Sequence, residues 1–205
     1  KKAVEDGTFK PEIEAVTVKT RKGETVVDSD EQPFNANIDK IPTLRPAFRK
    51  DGTVTAANSS SISDGASALI LASEEAIKEK GLTPIARIVA HATNSREPAE
   101  FTLAPIGAIE KLLAKTGWNK DDVDLFEINE AFAMVTMLAI KELGLDDEKV
   151  NIHGGACAQG HPIGSSGARI IVTLMYALQK LGKKKGVAAL CIGGGEATAV
   201  AIEMV

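Results

Sequence analysis

Apolar positions recur with the periods of alternating strands and helices from residue 86 to the end of the chain. Short runs of Val, Ile, Leu and Ala predict strands, and longer amphipathic runs predict helices. The predicted order is strand 86–90, helix 106–116, strand 123–128, helix 130–143, strand 150–153, helix 164–181, strand 187–192 and strand 198–204. This alternation predicts an α/β fold with a largely parallel sheet and a final hairpin at its edge. Runs that are apolar throughout predict a sheet with helices on both faces.

The first 85 residues follow a less regular pattern. Residues 1–49 mix charges, prolines and turn signals around one short β-like run at 15–18, which favours a segment that lies over another domain. Three segments come next: a short strand at 53–55, a Ser-rich stretch at 58–65 and an apolar run at 66–72. The charged run 74–80 then predicts a helix that ends at Gly81.

The composition excludes some classes of function. The 205 residues are 44% hydrophobic and 25% charged, which is typical of a globular protein. A net charge of −4 argues against a nucleic-acid partner, which usually requires a basic face. No apolar run approaches the roughly 18–20 residues that span a bilayer, and no apolar signal segment stands at the N-terminus. We therefore expect a cytoplasmic protein, with no membrane partner, in which Cys157 and Cys191 are free thiols.

Two glycine-rich stretches hold the residues that are best suited to chemistry. In the stretch 154–164, His161 lies between Gly160 and Pro162, which favours a sharp turn that presents the imidazole at a strand end. In the stretch 190–196, Cys191 precedes three glycines whose backbone amides can stabilise an oxyanion. Asn129 follows the strand 123–128 and is therefore expected on the same rim of the sheet, where ligands bind in open α/β folds.

Each of these residues also has a purely structural interpretation. His161 can serve only as a hydrogen-bonding residue of a loop, and Cys191 can be a small core residue. Asn129 stands where an N-cap of the helix 130–143 is expected, and capping alone would explain it.

Metal and dinucleotide sites are weaker interpretations of the same residues. His153, Cys157 and His161 are spaced four apart, but the glycines and the proline among them disfavour a continuous helix, and no fourth ligand is suggested. We therefore expect no metal site. Glycines 193–195 are followed by a predicted strand and not by a helix, which argues against a dinucleotide fingerprint, and no Walker A pattern occurs.

Three motifs together resemble the C-terminal signatures of thiolases, which make or cleave 3-ketoacyl-CoA. They are Asn129-Glu130-Ala131-Phe132-Ala133, Gly160-His161-Pro162 and Cys191-Ile192-Gly193-Gly194-Gly195. The resemblance covers the whole chain, although an intact thiolase has roughly as many residues again before this point. It implies the thiolase-like layered fold, αβαβα in the complete enzyme, with a mixed sheet. The implied parts are residues 1–62 as the remainder of the loop (CoA-binding) domain, 63–85 as the last elements of the N-terminal domain and 86–205 as the C-terminal domain.

The resemblance also implies a role for each motif residue. Asn129 would hold a catalytic water, and His161 with this water would bind the thioester oxygen of the acyl-CoA that acts as the nucleophile in the condensation. Cys191 would be the acid and base at the α-carbon of the second acetyl-CoA. The amide of Gly193 would contribute to the second oxyanion hole.

Residues upstream resemble the CoA-binding part of the family, in the runs 44–48 and 56–60. By this resemblance Phe48, Ala56 and Ser60 would line the pantetheine tunnel. The implied substrates are acetyl-CoA and CoA, with no cofactor and no metal, and the implied assembly is a homodimer or homotetramer. Cys157 stands where many thiolases have an aliphatic residue, so we expect it to contribute packing.

One departure from the family pattern is the nucleophile. Thiolases accept the acyl group on a cysteine of their N-terminal half, because a thiolate can both accept the group and later leave. Neither Cys157 nor Cys191 lies in that motif. We therefore expect a part of a longer or two-chain enzyme, with the nucleophile in the missing half and no activity in this chain alone.

The expected reaction is reversible condensation of two acetyl-CoA to acetoacetyl-CoA. Alternatives are a 3-ketoacyl-CoA thiolase of broader chain length, a non-catalytic CoA-binding subunit and a zinc-binding module.

Overall fold

The computed structural model describes all 205 residues. Six strands are present: β1 Val16–Thr20, β2 Gly23–Val27, β3 Ala86–Ser95, β4 Leu125–Ile128, β5 Lys185–Ile192 and β6 Glu196–Met204. Seven α-helices are present: α1 Lys2–Glu5, α2 Gln32–Asn35, α3 Glu74–Lys80, α4 Ala104–Thr116, α5 Ala133–Leu143, α6 Ala156–Gln159 and α7 Ser166–Leu181. Five 3₁₀ helices lie at Ile38–Thr43, Ala56–Asn58, Pro98–Leu103, Lys120–Asp122 and Asp147–Lys149.

The main sheet has four strands in the order β3-β6-β5-β4. Only β4 and β5 are parallel, whereas β6 is antiparallel to both β5 and β3. The prediction of a largely parallel sheet is therefore wrong. The predicted hairpin of the last two strands is present, but β6 is an inner strand, because β3 pairs with it along most of its length. β3 runs to Ser95, beyond the predicted end at Ala90, since this pairing continues to Glu196.

The sheet has helices on both faces, as the sequence predicts. The larger cluster packs α4 and α5 against inward-facing residues of the strands, including Phe126, Val187 and Ala199. The smaller cluster packs α7 against the opposite face, through Ile170, Leu174 and Leu178. Each such buried aliphatic side chain stabilises the fold by about 1.5–3 kcal/mol. Gly186 permits this contact, since a Cβ at that position would lie 2.8 Å from Leu178 Cδ1.

Most of the predicted helices are confirmed, and left-handed glycines end them. α3 ends at Gly81, which has φ +59°, and α7 ends at Gly182, which has φ +63°. Glycine adopts this conformation without the steric penalty of a side chain, so it stops the helix. The first turns begin two or three residues later than predicted for α5 and α7.

The predicted strand 150–153 does not form. Val150 makes one isolated parallel bridge to Phe126, and Asn151 then turns into the left-handed region at φ +48°. The Asn151 side chain makes the two hydrogen bonds that a neighbouring strand would otherwise make. Its Oδ1 accepts Ile128 N–H and its Nδ2 donates to Ile128 O, both at 2.8 Å. A side-chain amide that mimics the backbone in this way makes a further strand residue unnecessary.

The N-terminal part, residues 1–85, lies over the sheet domain and is mostly exposed. β1 and β2 form a separate hairpin that is exposed along its whole length, and β1 overlaps the predicted run 15–18. The predicted strand 53–55 is not formed, because Thr55 caps the 3₁₀ helix Ala56–Asn58. The apolar run 66–72 has no strand partner, and Ile70 is 96% exposed. The domain boundaries at residues 62 and 85 remain predictions.

Candidate active site

Asn129 is the first residue after β4 and is only 1% exposed. Its backbone N–H donates to Ala189 O at 2.9 Å, which continues the parallel pairing of β4 with β5. The prediction that Asn129 caps the following helix is wrong, because α5 begins at Ala133 and Phe132 occupies the N-cap position. The side chain is therefore available for another role.

His161 lies beside Asn129. Asn129 Nδ2 is 3.3 Å from His161 Nε2, and Asn129 Oδ1 is buried without a hydrogen-bond partner in the chain. The other ring nitrogen of His161, Nδ1, is 2.5 Å from Ser166 Oγ. The imidazole is thus fixed on one side, while its Nε2 and Asn129 Oδ1 are polar atoms that can contact a substrate or a water molecule.

The backbone before His161 takes a sharp turn, as the glycines predict. α6 ends at Gly160, which has φ +95°, and His161 N–H then donates to Ser61 O at 2.9 Å. The turn follows a short helix and not the predicted strand. Burial lowers the pKa of His161, and the nearby Arg169 guanidinium lowers it further, so the ring is neutral at pH 7.

Cys191 lies near the end of β5, on the strand next to Asn129. Its side chain is buried and belongs to the larger hydrophobic cluster, which agrees with the structural interpretation. Burial raises the pKa of the Cys191 thiol, so the thiol is protonated at neutral pH. Gly193 follows in the exposed turn between β5 and β6, where its amide does not belong to a strand. Both residues therefore lie at the carboxyl end of β5, close to the end of β4.

A short segment, Ser59–Ile62, joins the loops of Asn129 and His161. Ser60 N–H and Ser60 Oγ both donate to Ala131 O, at 3.2 Å and 3.0 Å, and Ile62 forms a bridge with His161. We name this segment the bridging segment. It places Ser60, one of the predicted CoA-contacting residues, between the two loops.

The other predicted CoA-contacting residues lie near this segment. Ala56 is exposed at the start of a 3₁₀ helix, three residues before the bridging segment. Phe48 is largely exposed and packs edge-on against Phe132, with ring centroids 6.1 Å apart. A cavity of about 300 Å³ lies beside Phe48 and is lined by residues 48, 49 and 51–54.

Glu130 was not identified from the sequence as a site residue, although it is in the same motif as Asn129. Its Oε2 accepts Cys157 N–H at 3.0 Å, and its Oε1 accepts from Asn151 Nδ2 at 3.4 Å. Burial raises the pKa of the Cys157 thiol to about 12, and the Glu130 carboxylate adds to this. An unreactive thiol of this kind agrees with the packing role expected for Cys157.

On the face of the sheet covered by α7, the Glu127 carboxyl lies beside the Arg169 guanidinium. Glu127 Oε2 is 3.7 Å from Arg169 Nη1, and Glu127 is almost fully buried. Burial raises the pKa of the Glu127 carboxyl to about 8, against the opposing effect of Arg169. Burial also raises the pKa of Glu12 and Asp30, whose carboxyls lie near the same guanidinium.

The residues weighed as zinc ligands do not share a helix. Cys157 is in the four-residue helix α6, whereas His153 precedes it and His161 follows it in loops. The structure contains no group of three or more His, Cys, Asp and Glu side chains arranged to hold a metal ion.

Comparison with known proteins gives the family. The model of the thiolase C-terminal domain matches residues 82–204, and that of the thiolase N-terminal domain matches residues 1–75. The chain belongs to the thiolase family. It is 50% identical over 203 residues to the acetyl-CoA acetyltransferase of Syntrophomonas wolfei, a match that covers 98% of this chain and 51% of that protein.

Solved structures of thiolases have the same fold. The crystal structure of the Bacillus anthracis acetyl-CoA acetyltransferase matches with a TM-score of 0.96 and 47% identity, over 100% of this chain and 52% of that chain. An Ascaris suum thiolase in complex with coenzyme A matches with a TM-score of 0.87 and 42% identity, again over 100% and 52%. This thiolase chain therefore spans about half the length of the relatives that it matches. None of its helices is long and apolar enough to cross a membrane.

Proposed function

We propose that this thiolase chain supplies the acid, base and oxyanion-binding residues for the reversible condensation of two acetyl-CoA to acetoacetyl-CoA and CoA. The observation that carries the proposal is the contact of Asn129 Nδ2 with His161 Nε2, at 3.3 Å, beside the end of the strand that bears Cys191. Family membership and the relatives named acetyl-CoA acetyltransferase support the same reaction.

In the first half-reaction the acyl-accepting cysteine gives its proton to His161 Nε2 and attacks the thioester carbon of acetyl-CoA as a thiolate, and CoA leaves with a proton from solvent. The developing oxyanion accepts hydrogen bonds from protonated His161 and from a water molecule held by Asn129 Oδ1, which is buried and has no partner in the chain. Preorganised donors of this kind stabilise the transition state without any reorganisation during the reaction.

In the second half-reaction the Cys191 thiol gives its proton to solvent, and the resulting thiolate removes a proton from the methyl carbon of a second acetyl-CoA. His161 and the water held by Asn129 bind the thioester oxygen of the resulting carbanion, which attacks the acetyl-enzyme. Acetoacetyl-CoA forms, and the released nucleophilic thiolate takes its proton back from His161. The amide of Gly193 binds the oxyanion of this step. Because burial raises the pKa of Cys191, its thiolate is a strong base, and its thiol is the proton donor in the reverse, thiolytic direction.

We further propose that the acyl-accepting cysteine belongs to polypeptide outside these 205 residues. Cys157 is unsuited to that role, because burial and the charge of Glu130 raise the pKa of its thiol to about 12, and its Sγ donates to the backbone oxygen of Glu130. Cys191 is buried in the hydrophobic cluster and is committed to the acid and base role. Phe48, Ala56 and Ser60 would contact the pantetheine arm of CoA.

To test this proposal, the half of the Syntrophomonas wolfei enzyme that this chain does not match is fused to the chain before Lys1. In such a chimera Asn129, His161 and Cys191 all come from this chain. We expect the chimera to cleave acetoacetyl-CoA with CoA and the 205-residue chain alone to be inactive. An intact-mass shift of one acetyl group on the chimera, and none on the chain alone, checks the origin of the nucleophile.

Other outcomes decide against this proposal. Turnover by the 205-residue chain alone would place the nucleophile at Cys157 or Cys191. A folded chimera that binds CoA but does not turn over would favour a non-catalytic CoA-binding subunit. A higher kcat/KM for longer 3-ketoacyl-CoA than for acetoacetyl-CoA would favour a thiolase of broader chain length.

Cellular location and assembly are also proposals. The free thiols of Cys157 and Cys191 are typical of a reducing compartment, which supports a cytoplasmic location. Fractionation of cells that make the protein tests this. Sedimentation of the chimera tests the homodimer or homotetramer that family membership suggests.

A further inference from the structure

Ser166 contacts the proposed catalytic histidine on the side away from Asn129. It is the first residue of α7 and is fully buried. Its Oγ lies 2.5 Å from His161 Nδ1 and 3.1 Å from Pro162 O. No role follows for this serine from the thiolase motifs that the sequence presents.

A serine hydroxyl has a single hydrogen to donate, whereas its oxygen can accept two hydrogen bonds. When that hydrogen is donated to Pro162 O, Ser166 Oγ can only accept from His161 Nδ1, which must then carry a proton. On the other side of the ring, Asn129 Nδ2 is a donor that faces Nε2. All three contacts are satisfied together only when the neutral ring is protonated at Nδ1 and bears a lone pair at Nε2.

We propose that Ser166 is a positioning residue that fixes His161 in the Nδ1-protonated tautomer and thereby makes Nε2 the proton-accepting nitrogen. This inference rests on the proposed function for its purpose: the proton of the acyl-accepting thiol moves to Nε2, which leaves a thiolate and an imidazolium. The imidazolium keeps its Nδ1–H bond to Ser166 and presents Nε2–H to the thioester oxygen. When acetoacetyl-CoA has formed and the acyl-accepting thiolate is released, that proton returns to it.

The neighbouring residue provides a matched control. Ser165 is also buried and also hydroxylated, but its hydroxyl contacts Ser67 and not His161. The backbone amides of Ser165 and Ser166 both donate to Pro162 O, at 2.8 Å and 2.9 Å, and a change to alanine preserves both bonds. Ser165→Ala and Ser166→Ala therefore each remove one buried hydroxyl group, but only Ser166→Ala removes a contact with the His161 imidazole.

The experiment is nitrogen NMR of the 205-residue chain labelled at its histidine ring nitrogens, at a pH where the rings are neutral. With three histidines in the chain, His161→Gln assigns the signal of His161. We expect Nδ1 to be the protonated nitrogen in the parent and in Ser165→Ala. In Ser166→Ala we expect loss of this preference, with the proton mainly on Nε2.

The parent spectrum alone can overturn the proposal, even if Ser166→Ala fails to fold, because a parent ring protonated at Nε2 contradicts the assignment. An unchanged tautomer in a folded Ser166→Ala also contradicts it. The readout does not depend on turnover. An inactive chimera whose chain has the expected ring signals would count against acyl transfer and would leave the role of Ser166 in the tautomer intact.

Discussion

The Glu130 carboxylate accepts the backbone N–H of Cys157 at 3.0 Å and so ties the loop of Asn129 to the segment before His161. The two bonded residues are 27 positions apart in the chain. The same carboxylate fills the space beside Gly155, where a Cβ would lie 2.6 Å from it. One side chain thus holds together the two loops whose polar groups form the candidate site.

Loss of the hydrogen bond between Glu130 and Cys157 should destabilise the site. We expect Glu130→Ala to lower the free energy of unfolding by about 1–3 kcal/mol, which is typical of a hydrogen bond to a charged group. Glu130→Gln keeps an acceptor and should lose less. Urea denaturation checks both variants, with Glu110→Ala on the exposed face of α4 as the control. Equal stability of Glu130→Ala and Glu110→Ala would mean that the bond contributes nothing.

Cys191→Ala in the chimera should abolish condensation and spare acylation. The reason is that the proposed proton transfer at the α-carbon occurs only in the second half-reaction. Mass spectrometry should then detect an acetyl-enzyme that persists in the presence of excess acetyl-CoA. Synthesis of acetoacetyl-CoA at the parent rate would exclude Cys191 from the mechanism.

His161→Ala should slow both half-reactions, because the imidazole serves the nucleophile and the first oxyanion. Loss of one oxyanion donor typically lowers a rate by about 10²–10³. Single-turnover acetylation and steady-state thiolysis by the chimera measure the two effects separately. If both rates stayed within twofold of the parent, His161 would be only a hydrogen-bonding residue of its loop.

The pKa of Glu127 predicts a pH dependence of stability. The folded chain holds a proton on this carboxyl up to about pH 8, whereas the unfolded chain releases it near the ordinary glutamate pKa of 4.5. Between these values the folded state binds more protons, so the free energy of unfolding falls as pH rises. Glu127→Gln removes this contribution. Urea denaturation at pH 5 and pH 8 should therefore give a smaller decline for Glu127→Gln, and an equal decline in both proteins would contradict the buried, protonated carboxyl.

Gly160→Ala should strain the turn before His161. At φ +95° a side chain is disfavoured, and a Cβ would lie within 2.1 Å of Ser63 Oγ. Such strain typically costs about 1–3 kcal/mol. Gly164→Ala is the matched control, since that glycine has open space around it. Thermal unfolding of the two variants should separate them clearly, and similar midpoints would show that the turn tolerates the methyl group.

Much of the sheet domain could be predicted from the sequence because local signals agree there with the tertiary structure. α4 and α7 combine amphipathic patterns with terminal glycines, and β5 is an apolar run that is buried on both faces. Strand direction could not be predicted in the same way. The pairing of β3 with β6 joins residues that are more than 100 positions apart, and no local sequence pattern indicates such a pairing.

In the candidate site too, some features could be predicted from local sequence and others could not. The proximity of Asn129 and His161 agrees with their prediction on one rim, and the glycine turn before His161 is confirmed. The cap at Asn129 is wrong, because α5 begins only at Ala133. The strand 150–153 is wrong, because the Asn151 side chain makes the bonds that backbone pairing would make. Contacts of this kind join distant residues through side chains, and a single sequence does not specify them.

The bridging segment contacts both loops mainly through its backbone: Ser60 N–H donates to Ala131 O, and Ser61 O accepts from His161 N–H. Bonds made by the main chain survive a change of side chain. Side chains in this segment can therefore vary, by drift or by engineering, while Asn129 and His161 keep their relative positions. Variants that test the proposed CoA contact of Ser60 should therefore leave the alignment of Asn129 with His161 intact.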